Sequence, residues 1–404
     1  MTDAILVLNG GSSSLKFALY SDGASVPEVS ATGQPILRGK IANIGNAAVF
    51  SAYDGIGNVL PLHDHMVFQP LATHEVLTPA LLDWLQSRGG GHTIKAAGHR
   101  VVHGGRAHSG PARVTDTLMA ELEALVPLAP LHQPHNLAAI RSVTAFLPDI
   151  PQIACFDTSF HTTQDRLAQL FALPRALTDQ GILRYGFHGL SYDYIAGMLP
   201  SYLGRHAEGR VIVAHLGNEA SMCALKNWQG VATSMGFTAL DGLMMGQRCG
   251  ALDPGVVLHL LEQKGMSPDE ITQLLYHQSG LLGVSGISNN MATLQASAAP
   301  EAREAIELFC YRAASELAAL CAPIGGLDAI VFTAGIGENS ALVRSLIIDR
   351  LTWMGMELDP VANEGNQTRI NAATSRIDVA VIPTDEESVI ARPTQQFLHV
   401  YTSQ

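Results

Sequence analysis

Positive charge is scarce in this 404-residue chain: 24 Lys and Arg stand against 36 Asp and Glu, for a formal net charge of −12. No basic stripe runs through it, which excludes a nucleic-acid backbone as its partner. Small anions are not excluded, because a few arginines and turn amides suffice to bind them. No run of about 18 consecutive apolar residues occurs, so no membrane helix is expected. The stretch Met1 to Leu8 has neither a basic start nor a cleavable apolar core, so no signal peptide is expected, and the expected compartment is the cytoplasm. The five cysteines, Cys155, Cys223, Cys249, Cys310 and Cys321, are odd in number and lack CxxC spacing. They read as reduced thiols rather than a disulfide or zinc framework. A GxxxxGK[ST] loop is missing, and no segment follows the dinucleotide fingerprint cleanly.

Apolar residues are plentiful. They make up 47% of the chain against 15% charged, the balance of a well-buried globular protein. The length suits two or three domains of about 100–200 residues. Ile5 to Leu8 reads as a buried strand, Asn9 to Ser14 as a glycine-rich turn, and Leu15 to Tyr20 as a returning strand. The same plan recurs 206 positions on, where Gly11 falls on Gly217: Val211 to Ala214, the turn His215 to Glu219, then Ser221 to Leu225. Chance resemblance and internal duplication are the two readings, and duplication predicts two related α/β halves. A third strand, Ala329 to Thr333, precedes a turn at Gly335 to Asn339, with helix from Ala341 onward. Helices are expected at Thr117–Leu125, Pro254–Lys264 and Ala302–Leu320, the last ending near Pro323 and Gly325. Strands alternating with helices predict an α/β fold with mixed sheets.

Glycine turns after strands are where backbone N–H groups converge on a phosphate. One such turn is ordinarily a hairpin; three in one chain favour a phosphate cradle. Arg100, in Gly98-His-Arg-Val-Val-His-Gly-Gly105, is either a surface arginine on a strand edge or an anion ligand. Arg248, between Gly246 and Gly250, has the same setting. Two such arginines suit an anionic substrate and a phosphoryl group. Asp157 either handles a proton or caps the following helix. His188 is either a donor to a transferred phosphate or a core histidine. The carboxylates of Asp385, Glu386 and Glu387 follow the strand Val379–Ile382, where they suit magnesium or complement a helix dipole. His63 and His65 read as surface residues without a metal.

Taken together, the motifs resemble the acetate kinases. The matching pieces are Asn9 to Lys16, Gly98 to Gly105, Pro130 to His135, Phe156 to Thr158, Arg184 to Gly189, His215 to Asn218, Thr233 to Phe237, Gly335 to Asn339 and Pro383 to Glu387. They run in family order over nearly the whole chain. The resemblance implies two duplicated actin-like, ribonuclease H-like ATPase domains with a cleft between them. Residues 1–155 plus 390–404 would form the acyl side and 156–389 the nucleotide side. It implies reversible transfer of a phosphoryl group from ATP to acetate, giving ADP and acetyl phosphate, with Mg2+ (Mn2+ as the alternative ion) and a homodimer. By matching position, Asn9 and Glu386 would hold the metal, and Ser12, Ser14 and Lys16 would lie by the phosphates. Arg100 would bind the carboxylate, with Val102, Leu131 and Phe187 around the methyl group. Asp157 would handle a proton or orient its neighbours. Arg248 and His188 would stabilise the phosphoryl group in flight, with His132 and His215 nearby. His215, Leu216, Gly217 and Asn218 would line the nucleotide with Gly335, Ile336, Gly337, Glu338 and Asn339. Acetate is already ionised at neutral pH, so the nucleophile needs no base. Positioning and charge neutralisation are then the whole task, and Asp157 fits an orienting role better.

Four positions depart from the family pattern. Glu219 stands where the family has glycine, Asn290 and Ala292 where it has aspartate and arginine serving the nucleoside, and Ala239 where a proline lines the acyl pocket. A carboxylate about 4 Å from a phosphate near a surface is repelled by about 4 kcal/mol. Glu219 must therefore point away or meet a cation, and Glu219→Gly is expected to raise activity. Asn290 and Ala292 predict weaker or less base-selective nucleotide binding. Two other functions compete: a kinase for propionate or another short carboxylate, and a weakened ATP-binding switch protein. Loss of bulk at Ala239 predicts that propionate is accepted. Restoring the proline with Ala239→Pro should lower kcat/KM for propionate relative to acetate, and an unchanged ratio would refute it.

Overall fold

The computed structural model describes residues 3–11, 14–22, 34–62, 71–88 and 92–402. Ser12, His63 and His65 lie outside them. The chain divides into two compact units. One runs to Phe160 and takes back the C-terminal segment from Asp385; the other is His161–Thr384. The junctions expected from sequence were 155/156 and 389/390.

In the first unit, seven described strands make one mixed sheet. They are β1 (Asp3–Gly10), β2 (Leu15–Ser21), β3 (Leu37–Ala42), β4 (Val49–Asp54), β5 (Thr93–Val101), β6 (Ala112–Arg113) and β7 (Gln152–Phe156), in the order β4-β3-β2-β1-β5-β7-β6. The second unit carries five described strands: β8 (Arg210–Leu216), β9 (Ala220–Lys226), β10 (Gln229–Thr233), β11 (Ala329–Thr333) and β12 (Asp378–Val381), in the order β10-β9-β8-β11-β12. Setting β4 and β6 aside leaves the same order in both. A three-strand antiparallel meander is followed by two strands parallel to the first. The duplication read from Gly11 and Gly217 is thus present in the topology. Both glycines open the first hairpin loop, and both donate N–H to the carbonyl that closes it, Ser14 (2.8 Å) and Glu219 (3.0 Å).

Local chemistry explains the elements. From Ala4 to Gly10, β1 is buried on both faces, as a strand with neighbours on each side must be. The alternating Leu15, Phe17 and Leu19 of β2 face a core with Leu77, Leu81, Leu82, Trp84 and Leu85 of the helix His74–Arg88. In the second unit the helix Pro300–Ile324 buries Ala302, Ala305, Ile306, Phe309, Cys310, Ala313, Leu317, Leu320 and Ile324, a stripe at three- and four-residue spacing. It packs on β8, β9 and β10. It ends where expected, with Pro323 tolerated in the last turn, and stops where Gly325 turns left-handed (φ +75°).

Two expectations change. The residues after β11 are not an open turn. Ala334–Asn339 is a short helix, followed at once by the helix Ala341–Asp349. Arg344 explains why this segment is compact. Fully buried, it donates Nη1 to the carbonyls of Gly337 (2.8 Å) and Glu338 (3.0 Å), Nε to Asn363 Oδ1 (2.7 Å), and Nη2 to the Asn363 carbonyl (2.7 Å) and Asn366 Oδ1 (2.6 Å). Arg100 is also not on a strand edge, because β5 lies between β1 and β7. The C-terminal helix Glu386–Thr402 packs across β1 and β5. It comes so close that a methyl at Gly98 would strike Thr394 and Ile390.

Replacing Arg344 by Met leaves the Gly337, Glu338 and Asn363 carbonyls without those donors. Stability should fall by roughly 3 kcal/mol or more, read by urea unfolding; a loss under about 1 kcal/mol would show the contacts to be dispensable. Burial also holds the imidazoles of His99, His103 and His161 at about 4, below their ordinary 6.5. Unfolded histidines then take up protons that the folded ones refuse. Stability is complete above about pH 6.5 and falls toward pH 4, by about 1.4 kcal/mol per pH unit for each histidine. The melting temperature should drop steeply across that window, and His99→Gln should make the slope shallower. A flat profile in the wild type would contradict neutral burial.

Candidate active site

In the first unit, the C-terminal ends of β1, β5 and β7 bring Asn9, Arg100 and Asp157 together. Arg100 donates Nε (3.0 Å) and Nη2 (2.6 Å) to one oxygen of Asp157, and Nη1 reaches Asn9 Oδ1 at 3.5 Å. Asp157 is 1% exposed. Its other oxygen, Oδ1, is buried with no hydrogen-bond partner among the described residues. The aspartate therefore holds the arginine and does not cap the next helix. Asn9 Nδ2 donates to Glu386 Oε2 (2.8 Å) and Glu387 Oε1 (2.7 Å), and Lys16 Nζ lies 3.7 Å from Glu387 Oε1. Both glutamates open the C-terminal helix, so they meet Asn9 and complement the helix dipole at once. Burial, then the Glu386 charge, pushes the Glu387 carboxyl above its usual range against the pull of Lys16.

This donor set is all oxygen, and a hard divalent cation would relieve the crowded carboxylates. No group of three His, Cys, Asp or Glu side chains poised to hold a metal occurs among the described residues. The fit is to magnesium, which keeps most of its waters and takes one or two carboxylates. Beside these residues lies a cavity of about 420 Å³ bordered by Lys16, Lys40, Tyr53, Asp385 and Glu387.

Val102 is buried and its N–H is held by Asn136 Oδ1 (3.0 Å), while Asn136 Nδ2 reaches back to the Gly10 carbonyl (3.0 Å). Asn136 thus ties the β5 end to the first glycine turn. Sequence reasoning missed it, because its only signal was a place in the helix Gln133–Phe146. Leu131 is half-buried and His132 buried at the start of that helix. Ser14, the last loop residue before β2, is half-buried.

In the second unit, His188 sits in the left-handed region (φ +58°) just before the helix Gly189–Leu203. Its ring stacks on His215 (centroids 4.3 Å apart), and its Nδ1 meets Ser221 Oγ at 2.7 Å. Arg248 is buried, with Nη1 donating to the Ala239 carbonyl (3.1 Å) and its guanidinium over the Tyr276 ring. Glu219 does meet a cation, Arg248, and it also faces the His188 ring. Its Oε1 takes Arg248 Nη2 at 2.8 Å, and its Oε2 stands 3.7 Å from His188 Nε2. Phe187 is buried and Ala239 half-buried in this unit. Ser191, which the motifs did not signal, links His215 Nδ1 (2.8 Å) to Thr384 Oγ1 (2.9 Å).

The remaining segments gather at the ends of β8 and β11. His215 pairs with Thr333 across the sheet, and a methyl on Gly217 would lie 3.8 Å from Ala334 Cβ. Leu216 and Gly337 are buried, Ile336 and Glu338 half-buried, and Asn218, Gly335 and Asn339 exposed. Glu338 Oε1 accepts the N–H of Ala334 (2.8 Å) and of Thr384 (3.2 Å), tying the segment after β11 to the one after β12. Gly246 N–H donates to the Asn218 carbonyl (2.9 Å), and any side chain there would strike Asn218. Asn290 caps the helix Met291–Gln295 through Thr293 N–H (3.1 Å), with Ala292 exposed on its first turn.

Comparison with known proteins agrees with this geometry. The pattern of the acetokinase family matches residues 4–392. An acetate kinase from Rhodopseudomonas palustris is 51% identical over 396 residues, covering 97% of this chain and 98% of that one. Another, from Methylocella silvestris, is 47% identical over 398 residues, covering 98% of each. Among solved structures, a propionate kinase from Francisella tularensis shares 36% identity at a TM-score of 0.87, covering 98% of this chain and 99% of that one. The acetate kinase of Porphyromonas gingivalis shares 34% at 0.83, covering 98% and 100%. The two units are the actin-like domains of that fold. With the match nearly end to end in sequence and in structure, the chain belongs to the acetokinase family.

Proposed function

We propose that this chain is an acetate kinase: a carboxylate oxygen of acetate attacks the γ-phosphorus of ATP in line, the bond to the bridging oxygen breaks, and its electron pair leaves with ADP. ATP and ADP are the nucleotide substrates that the family implies. The observation that carries the reading is Arg100. Both its Nε and Nη2 are held on Asp157, so the planar fork is locked at the end of β5, where it can meet a carboxylate. Asp157 acts here as an orienter. Acetate is already an anion and offers no proton to remove. Val102, Leu131, Phe187 and Ala239 supply the apolar surface for the methyl group.

Arg248 and His188 stabilise the phosphoryl group in flight. Lys16, Ser12 and Ser14 serve its oxygens. The segments 215–218, 290–292 and 335–339 hold the nucleotide. Asn9 and Glu386, with Glu387 beside them, would hold Mg2+, which when bound supplies charge neutralisation at the phosphates. Half-buried Ala239, together with the likeness to a propionate kinase, supports a second acid, propionate, as an alternative substrate. Assembly as a homodimer in the cytoplasm completes the reading.

Incubation with ATP, Mg2+, acetate and hydroxylamine should yield acetyl hydroxamate. Asp157→Asn removes a charge-assisted bond worth about 1.5–3 kcal/mol, so acetate turnover should fall roughly 10–100-fold while the fold persists. Absence of hydroxamate with acetate, propionate and butyrate, alongside intact ATP binding, would favour a nucleotide-binding switch instead.

A further inference from the structure

Glu219 closes the loop between β8 and β9, and its side chain folds onto the two residues that the proposed reaction assigns to the phosphoryl group. Arg248 and His188 side chains are 7% and 5% exposed, and Glu219 is 23% exposed. Their other contacts leave little freedom. One edge of the guanidinium is on the Ala239 carbonyl and its face is over Tyr276. The imidazole is fixed by Ser221 and by stacking on His215. Among the groups that face the carboxylate are a guanidinium N–H at 2.8 Å and an imidazole nitrogen at 3.7 Å. Two carboxylate oxygens stand where two phosphoryl oxygens would draw on the same donors. A phosphoryl group and Glu219 cannot share them, since both are anionic and each donor has one best direction.

We propose that Glu219 is a built-in competitor for phosphate: it holds Arg248 and His188 in the resting site and is exchanged for the phosphoryl group when substrate binds. It therefore sets the affinity for phosphate-bearing ligands without entering the transition state. This rests on the reading of Arg248 and His188 as phosphoryl ligands. An anion at this place need not block the enzyme, because the incoming group inherits donors that are already positioned. What it costs is affinity, since the resident pair must break first.

The test compares wild type, Glu219→Gln and Glu219→Gly, with Glu219→Asp as the variant whose carboxylate is too short to reach both Arg248 and His188. Binding of inorganic phosphate is measured by calorimetry on the resting enzyme, and kcat and KM for acetyl phosphate and ATP are measured by turnover. Exchange predicts that Glu219→Gln and Glu219→Gly bind phosphate at least 10-fold more tightly and lower both KM values, with kcat within about twofold. The gain in phosphate binding should vanish in an Arg248→Ala background, and Glu219→Asp should fall between. Unchanged or weaker phosphate binding with a lowered kcat would overturn the proposal and make Glu219 a support that stays on Arg248 throughout. Because calorimetry needs no turnover, the two readings fail separately. A missing acyl phosphate product with tightened phosphate binding removes the reaction and keeps the exchange. Normal turnover with unaltered phosphate binding does the reverse.

Discussion

Parallel strands in one sheet end on the same edge, and the grouping of Asn9, Arg100 and Asp157 depends on that constraint. A parallel neighbour returns through a crossover, so the C-terminal ends of β1, β5 and β7 lie side by side, as do those of β8, β11 and β12. Asn9, Arg100 and Asp157 are at or just beyond the first set of ends, and His215, Thr333 and Thr384 beyond the second. Residues far apart in the chain become neighbours because hydrogen-bonded register leaves them no other place. The hairpin partners β2 and β9 run the opposite way, so only their connecting loops reach the same edge. Those loops carry the glycines.

Charge is the second constraint. The chain is acidic, and two of its cations at the candidate sites are each met by an anion: Arg100 by Asp157 and Arg248 by Glu219. An unpaired ion in such a place costs several kcal/mol, and a pair that loses one partner costs about 3–5 kcal/mol. Each unit therefore closes its own pair at rest, and on the proposed reading an anionic substrate would have to rearrange the partners. Arg344 shows the other solution. It is buried with carbonyl and amide oxygens rather than a carboxylate, its pKa lowered to about 10 by burial, so it stays charged while holding the segment after β11.

Much of the fold was legible because burial writes a periodic signal. β11 was expected at its observed bounds, and β1 and β8 were found as apolar runs that the sheet extends by one to two residues at either end. The long helix was visible from its three- and four-residue stripe and its end from Pro323 and Gly325, the glycine being the actual stop because it turns left-handed. The segment after β11 was misread as a turn. Two glycines in six residues disfavour a helix locally, and the Arg344 contacts that hold it come from the next helix.

By itself the sequence determined the alternation of strands and helices, the repeated glycine turn, and the residue types that chemistry on phosphate and carboxylate needs. Each is a local property, set by side-chain spacing and residue type. Tertiary structure alone decided who meets whom. The return of the C-terminal segment to the first unit was already implied by the family resemblance, and the structure added Glu387 beside Glu386 on Asn9. It settled that Asp157 holds Arg100, and it closed Glu219 onto Arg248 and His188. Sequence left Glu219 with two outcomes, turned away or met by a cation. The choice rested on residues 29 and 31 positions away, and only the packed sheet brings them within reach.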